Sequence, residues 1–182
     1  MQDNPLDDPV LPPGDGPGPN LEITVAGEAE GTIIVDLLPE VAPLHVGRVV
    51  ALAEAGDYND IVFHRVIDGF MAQTGDVQFG GADGELDRAG MGGSDLGDLP
   101  AEFSEIPFER GIVGMARAAS PDSANSQFFI MFDRAPTLDR EYTVFGRVIA
   151  GMEVVDAIKR GDRSRNGSVE NPDRMVEVRV VE

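Results

Sequence analysis

One stretch of this sequence, residues 63–76, places isolated polar side chains among large apolar ones. Its arginine, Arg65, and its glutamine, Gln73, are flanked by phenylalanine, valine, isoleucine and methionine residues. A half-buried arginine needs hydrogen-bond acceptors, because burying an unpaired charge is costly, and its guanidinium offers five donors in a fixed geometry. Arg65 could therefore bind a ligand, or it could pair with a carboxylate on a neighbouring strand. The residues by themselves leave both alternatives open.

The alternation of side chains along this stretch predicts which of them share a face. Residues two apart in a strand lie on the same side of it, so Phe63, Arg65 and Ile67 are expected to lie together. After a turn, Met71 and Gln73 are expected to share a face as well. The arginine and the glutamine would then stand on two adjacent strand segments.

Other catalytic chemistries find little support in the sequence. There is no Gly-x-Ser-x-Gly nucleophile elbow. The two histidines lie in unrelated settings, which argues against a zinc site; we expect His45 on the surface of a helix and His64 as a hydrogen-bonded structural residue of a strand. The chain has no cysteine, which excludes disulfides, cysteine nucleophiles and thiolate zinc sites.

Two glycine- and aspartate-rich motifs do not predict a metal or a cofactor. Residues 83–87 lack the alternating aspartate spacing that surrounds a calcium ion, so a solvated acidic loop is the favoured interpretation. Residues 90–93 do not follow a strand and open a helix, as a dinucleotide-binding fingerprint must. We therefore expect no cofactor and no metal.

Length and charge narrow the class of protein. A chain of 182 residues favours one domain, and 42% hydrophobic residues can fill an ordinary core. The formal net charge of −19 disfavours nucleic acid and anionic membrane surfaces as partners. No run approaches the roughly 18 apolar residues of a membrane helix, so no membrane insertion is expected.

The elements that must position the polar residues are mostly short strands. Period-two and β-branched patterns predict strands at 21–25, 32–38, 61–67, 70–73, 111–116, 127–132, 143–149 and 175–181. Helical periodicity predicts one helix from near Pro43 to near Gly56 and another over 152–160. Many short strands with two helices favour a closed barrel or a sandwich with helical caps. The glycine- and aspartate-rich stretch 76–111 is typical of a functional or mobile loop.

Residues 1–20 differ in composition from the rest of the chain. Six of the thirteen prolines lie there, with interleaved glycines and aspartates. Such a segment buries too little apolar surface to offset its ordering entropy, so a disordered tail is predicted over 1–20 and a single domain over 21–182. A tail of this kind is typical of the start of a mature exported chain, which favours the periplasm over the cytoplasm.

Residues 63–76 resemble the Phe-His-Arg-Val-Ile-x-Gly-Phe-Met-x-Gln-x-Gly-Asp signature of cyclophilins, the cyclosporin-type peptidyl-prolyl cis-trans isomerases. Segments 114–118, 125–130 and 138–155 agree with further family motifs in the same order. The likeness covers 21–182. It implies a mainly β fold, a closed eight-stranded antiparallel β-barrel capped by two α-helices, with the substrate groove on the outer surface of the barrel.

The resemblance also implies roles for individual residues. Arg65 would be the catalytic arginine that donates to the prolyl nitrogen. The other implied positions are a proline pocket of Phe70, Met71, Phe129 and Leu138, walled by Tyr142, and peptide-backbone contacts from Gln73, Ala116, Arg117 and Gln127. The implied substrates are proline-containing peptides and unfolded proteins, and a monomer is expected.

Three positions depart from the pattern of cyclosporin-sensitive members. Thr137 stands where they carry tryptophan, Tyr142 where they carry histidine, and Arg117 where many members carry asparagine. Weak cyclosporin binding is therefore expected, with catalysis retained because Arg65 is present. Two alternatives to an isomerase are a proline-peptide-binding chaperone module with incidental catalysis and an acidic carbohydrate- or calcium-binding barrel.

Overall fold

The computed structural model describes residues 15–182 as one curled antiparallel sheet with two short helices. The strands are β1 (Asn20–Ala26), β2 (Gly31–Leu37), β3 (Ile61–Val62), β4 (Arg65–Ile67), β5 (Met71–Thr74), β6 (Ile112–Met115), β7 (Phe128–Met131), β8 (Val144–Ala150) and β9 (Arg174–Val181). The helices are α1 (Pro43–Glu54) and α2 (Met152–Ala157), and three single 3₁₀ turns lie in the connections. Each predicted element is present within a few residues of its expected bounds, except that the strand predicted over 61–67 is divided.

The strand order across the sheet is β3-β9-β1-β2-β8-β6-β7-β5-β4, and every neighbouring pair is antiparallel. The two end strands, β3 and β4, are consecutive in the chain, and no ladder joins them within residues 15–182. The sheet is thus an open half-barrel of nine strands. The mainly β fold with two helices is confirmed, whereas the prediction of a closed eight-stranded barrel is wrong.

The division of the predicted 61–67 strand accounts for the open edge. At Phe63 and His64 the chain leaves the ladder, and the Phe63 amide donates instead to the Asp173 carbonyl at 2.9 Å. Val62 pairs with β9 on one side of this break, and Arg65 pairs with β5 on the other. One continuous strand therefore becomes two short strands that sit at opposite edges of the sheet.

The same break changes which side chains share a face. Phe63 is fully buried in the main core together with Val66, whereas Ile67 packs on the opposite side of the sheet and Arg65 faces a surface cavity. The prediction that Phe63 lies beside Arg65 and Ile67 is wrong, because two residues outside the ladder interrupt the alternation. Met71 and Gln73 do share a face, as their spacing predicts.

Buried apolar side chains form two clusters on the two faces of the sheet. The main core lies inside the curl and receives Val49 and Leu52 from α1. A smaller cluster on the outer face includes Met71, Phe108 and Phe129. Strands β4 to β7 separate the clusters, because alternate residues of each strand point to opposite faces. The outer cluster supplies the apolar floor of the candidate site.

The first turn of α1 is covered by a distant loop. Pro43 opens the helix, where a missing N–H costs nothing, and the Glu102 carboxylate accepts from the amides of Leu44 and His45 at 3.2 and 2.9 Å. His45 is fully buried, and its Nδ1 lies 2.6 Å from the same carboxylate. The expectation of a surface His45 is wrong, because the loop that carries Glu102 packs over this turn.

The predicted tail falls mostly outside the described residues, which begin at Asp15. The last part of it is placed against the sheet: the Leu37 amide donates to the Pro19 carbonyl at 3.1 Å, and Asn20 begins β1. A disordered tail over 1–20, and the periplasmic location inferred from it, remain predictions. Between residues 15 and 182 there is no helix long and apolar enough to cross a membrane and no group of three or more potential metal ligands.

Candidate active site

Cross-strand pairing places the central residues of the site in one row. Arg65 of β4 is the register partner of Gln73 of β5, and Gln73 is the partner of Phe129 of β7. Phe129 is in turn opposite Gly114 of β6. A Cβ on Gly114 would lie 2.7 Å from the Phe129 ring, so the absence of a side chain there gives the ring its space. The sheet itself therefore fixes how the polar and apolar parts of the site are aligned.

The Arg65 guanidinium is held by three hydrogen bonds to neutral groups. Its Nε donates to the backbone carbonyl of Asn166 and its Nη2 to the Asn166 side-chain oxygen, each at 3.1 Å. Its Nη1 donates to Gln73 Oε1 at 3.1 Å. Three of the five N–H groups are thus occupied, which leaves two for a ligand. Within residues 15–182, Arg65 forms no ion pair with a carboxylate on a neighbouring strand, so that alternative is not found.

Burial and hydrogen bonding set the electrostatics of this arginine. Arg65 is half-buried, and burial lowers the pKa of its guanidinium from the ordinary value. An arginine starts so far above neutrality that it stays charged at every physiological pH. The site therefore presents a permanent cation whose orientation is fixed from two sides.

An apolar pocket lies beside the arginine. The ring of Phe129 is only 4% exposed; it stacks on Phe108 at a centroid distance of 5.8 Å and meets Tyr142 edge-to-face, also at 5.8 Å. Phe70 and Leu138 pack against the same cluster. Phe70 follows a turn at Gly69, whose φ of +75° favours glycine. Paired aromatic rings hold one another in place, so the pocket is preformed.

A cavity of about 610 Å³ joins the arginine and the pocket. Nine of the ten residues predicted for the site line it: Arg65, Phe70, Met71, Gln73, Ala116, Arg117, Phe129, Leu138 and Tyr142. The tenth, Gln127, lines a neighbouring cavity of about 340 Å³ that shares Gln73, Ala116 and Arg117 with the first. The structure thus brings all ten positions to two adjoining cavities, while the role of each remains a prediction.

A chain of amide groups connects the arginine to the second cavity. Gln73 Nε2 donates to Gln127 Oε1 at 2.9 Å, and Gln127 Nε2 donates to the carbonyls of Gly90 and Gly92 at 2.9 Å each. The loop that carries these glycines is held by the buried Asp76 carboxylate, which accepts from their amides at 2.7 and 3.0 Å. The loop predicted to be functional or mobile over 76–111 is therefore fixed at the site.

The side chain of Arg117 lies along the rim between the two cavities. Its guanidinium packs over the Tyr142 ring, 4.5 Å from the centroid. Its Nη1 donates to the carbonyls of Ala118 and Ala119, and its Nε and Nη2 donate to that of Glu141. Arg117 thus connects the loop that carries Ala118 and Ala119 with the loop that carries Glu141, beside the pocket.

Sequence reasoning missed four residues that line the larger cavity: His64, Arg165, Asn166 and Ser168. Burial lowers the pKa of His64 to about 4, with Asp76 raising it and Arg65 lowering it by smaller amounts. This histidine is therefore neutral at physiological pH. Asn166 belongs to an Asn-Gly turn with φ of +57°; its turn character is readable from the sequence, but its contact with Arg65, 101 positions away, is not.

The arrangement combines a fixed cation with free donors, an apolar pocket for a small ring and amide groups that can bind an extended peptide backbone. Within residues 15–182, the hydroxyl of Ser168, the serine that lines the larger cavity, has no hydrogen bond to a histidine or a carboxylate that would activate it as a nucleophile. The chemistry that this geometry suits is non-covalent: binding an apolar ring while stabilising extra electron density on a neighbouring atom.

Comparisons with known proteins agree with this description. Residues 20–180 match the sequence model of the family "Cyclophilin type peptidyl-prolyl cis-trans isomerase/CLD". A probable peptidyl-prolyl cis-trans isomerase of Brucella suis is 54% identical over 153 residues, which are 83% of this chain and 78% of the relative.

Solved structures agree with it as well. A cyclophilin from Hirschia baltica superposes with a TM-score of 0.73 at 26% identity and covers 90% of this chain and 74% of its own. A Cryptosporidium parvum cyclophilin type peptidyl-prolyl cis-trans isomerase, determined in the presence of the dipeptide Ala-Pro, matches with the same TM-score and identity over 90% of this chain and 98% of its own.

Proposed function

We propose, from the premise that this chain belongs to the cyclophilin-type peptidyl-prolyl cis-trans isomerases, that it accelerates X-Pro bond rotation by donation from Arg65 to the prolyl nitrogen. The observation that carries this proposal is the Arg65 guanidinium, held by Asn166 and Gln73 at the edge of an apolar pocket with two N–H groups unused. Its substrates are peptides and unfolded proteins that contain proline.

The physical problem is the partial double bond of the X-Pro amide. Resonance imposes a barrier of about 18–20 kcal/mol, so uncatalysed isomerisation takes roughly 10–100 s at 25 °C. At the twisted transition state the conjugation is lost, and the prolyl nitrogen becomes pyramidal with a localised lone pair. A donor aimed at that nitrogen binds the twisted state better than the planar one, which lowers the barrier without covalent chemistry.

Arg65 suits this role for reasons of charge and geometry. Its charge does not depend on pH in the physiological range, and its orientation is set by the Asn166 turn on one side and by β5 on the other. Donors that are already oriented need no rearrangement when the lone pair develops, which makes their stabilisation larger.

The apolar pocket would hold the proline ring while the bond rotates. Phe129 forms its floor, Met71 and Leu138 border it, and Tyr142 walls it with an aromatic edge. Ala116 and the amide groups of Gln73 and Gln127 are at hand for the peptide on either side of the ring. With the proline ring held in the pocket, the peptide on the other side of the X-Pro bond is free to turn about that bond.

A proline-peptide-binding chaperone module with incidental catalysis is the second candidate. The second cavity beside the proline pocket favours it, because it extends the surface available to an unfolded chain. The two candidates differ in what happens to a bound peptide. An isomerase binds the twisted state more tightly than either planar isomer, whereas a binding module need not.

Relaxation of a short Ala-Pro-Phe peptide from cis to trans at low temperature tests the proposal. The folded protein is expected to accelerate relaxation in proportion to its concentration. A folded protein that binds the peptide, as followed by chemical-shift changes, without accelerating it would support the chaperone module and overturn the isomerase.

We also propose that the protein is a monomer and that it binds cyclosporin weakly. Thr137, at the position of the drug-binding tryptophan of sensitive members, is exposed and follows the proline that opens a 3₁₀ turn beside Leu138. A threonine offers far less apolar area than an indole for a hydrophobic cyclic peptide. Thr137→Trp is expected to strengthen cyclosporin binding, and an unchanged affinity would contradict this explanation.

A further inference from the structure

The arginines of this protein fall into two groups. Within residues 15–182, seven of the thirteen arginines form ion pairs with carboxylates: Arg110, Arg134, Arg140, Arg147, Arg160, Arg174 and Arg179. This is expected of a chain with 33 acidic residues and a net charge of −19. Three of the other six line the larger cavity.

Within residues 15–182, none of the three arginines of the cavity forms an ion pair with a carboxylate. Arg65 donates to the amides of Asn166 and Gln73, and Arg117 donates to backbone carbonyls. The guanidinium of Arg165 has no hydrogen-bond or ion-pair partner in the described part of the chain. The charges of these arginines are therefore not neutralised by direct pairing.

No aspartate or glutamate is among the described residues that line this cavity. Asp162 lies on the same loop as Arg165, and hydrogen bonds from Ser164 together with the nearby Arg165 charge lower the pKa of its carboxyl. This carboxylate is exposed, accepts from the Ser164 amide and hydroxyl at 2.9 and 2.6 Å, and does not line the cavity. A strongly acidic protein thus has a substrate cavity lined by three cations and no anion. This is the reverse of the charge carried by the rest of the molecule.

We propose that the groove selects proline substrates that carry an acidic side chain, glutamate or aspartate, directly beside the proline. The inference rests on the proposed isomerase function and adds a substrate class to it. Arg165 is the principal specificity residue, because its donors are not occupied by other groups of the described chain. Arg117 and Arg65 add positive potential at the same cavity.

The screening of electrostatic interactions by salt determines which charged groups of the protein act on a bound substrate. At physiological ionic strength the screening length is about 8 Å, so acidic residues on distant surfaces contribute little inside the groove. Arginines that line the groove lie within that range of a bound peptide. Coulomb attraction over a few ångströms in a partly solvated cleft corresponds to about a fivefold preference. The overall charge of −19, acting without this local effect, would instead favour basic peptides.

Two matched peptide series test the proposal with the full chain. One series places Glu, Gln or Lys before proline in Ala-x-Pro-Phe, and the other places them after it in Ala-Ala-Pro-x. The kcat/KM for isomerisation is measured by nuclear magnetic resonance exchange at about 0.15 M and about 1 M salt. We expect Glu to exceed Gln by about fivefold and Gln to exceed Lys in at least one series, with the preference lost at high salt.

A pair of charge-matched variants assigns the preference to the groove. Arg165→Gln is expected to lower the Glu-to-Gln ratio by at least about twofold. Arg179→Gln removes the same charge from β9, where Arg179 pairs with Glu22, and is expected to leave the ratio unchanged. Equal lowering by both variants would mean that total charge, not the groove, sets the preference, and would overturn the proposal.

The outcomes also separate this inference from the function on which it rests. If Gln peptides are isomerised but Glu peptides are no faster in either series, the inference is wrong and the isomerase stands. Faster Lys peptides would likewise overturn it. If no peptide of any charge is isomerised by the folded protein, the proposed function itself fails.

Discussion

Arg65 and Gln73 face each other across the β4–β5 pair, and Arg65 Nη1 donates to Gln73 Oε1 at 3.1 Å. Both residues belong to strands of the same sheet, so the ladder sets their separation. Sites built on strands hold their geometry more closely than sites built on loops. Gln73 also donates to Gln127, so displacement of either side-chain amide would alter the position of the Arg65 guanidinium.

Gln73→Ala is expected to lower kcat/KM for a proline peptide by about tenfold, because Arg65 loses one of its three fixed partners. Gln78→Ala is the matched control: it removes an amide of the same size that accepts from Gly93 at 3.4 Å and does not line the larger cavity. Peptide isomerisation and thermal unfolding of both variants check the prediction. Equal activities of the two variants would contradict it.

Asn166→Gly is expected to lower kcat by about three- to tenfold with little change in KM. Glycine keeps the positive φ and the backbone carbonyl that accepts from Arg65 Nε, so only the side-chain oxygen is lost. Asn166→Asp restores an oxygen at that position and is expected to recover part of kcat. Steady-state kinetics of both variants check this, and a loss confined to KM would argue against a positioning role.

Phe129→Leu and Phe145→Leu separate packing from catalysis. Both rings are buried, and each substitution is expected to lower the free energy of unfolding by about 1–2 kcal/mol. Phe129 lines the cavity, whereas Phe145 lies in the main core. We therefore expect only Phe129→Leu to raise KM several-fold for proline peptides. Chemical denaturation and kinetics measure the two effects, and a comparable rise in KM for Phe145→Leu would contradict the assignment.

The half-buried His64 is expected to make folding stability depend on pH. Its pKa is about 4 in the folded protein and near the ordinary 6.5 in the unfolded chain. Between these values the unfolded chain binds a proton that the folded protein does not, so the free energy of unfolding falls as pH falls from 6.5 towards 4. The loss attributable to His64 is about 3 kcal/mol near pH 4 and is absent above pH 7.

Denaturation of wild type and His64→Gln between pH 4.5 and 7.5 measures this contribution. The carboxylates titrate in both proteins, so their effect cancels in the difference between the two free energies. We expect that difference to shift against wild type as pH falls. A difference that does not vary with pH would show that His64 titrates normally in the folded protein.

The sequence predicts the central row of the site well because local spacing determines it. Met71 and Gln73 are two residues apart in one strand and share a face, as period-two alternation requires. The strand elements around them also follow from local patterns of β-branched and apolar residues. The mainly β fold with two helices was predictable for the same reason.

The remaining features depend on contacts between distant parts of the chain. His45 is buried because Glu102, 57 positions later, covers its turn. Phe63 turns into the core because its amide leaves the ladder for the Asp173 carbonyl. Asn166 contacts Arg65 across 101 positions. No local pattern encodes these pairings, so the open edge of the sheet and the partners of the arginine required the structure.

Arg65→Ala, measured for both catalysis and binding, tests the central claim most directly. With folding verified by circular dichroism, the variant is expected to lose about 100-fold in kcat for a proline peptide while its Kd changes only a few-fold. Arg65→Lys, which keeps the charge but loses the planar donors, is expected to recover only part of the rate. A folded Arg65→Ala variant that retains most of the wild-type kcat would contradict the role of Arg65 in bond rotation.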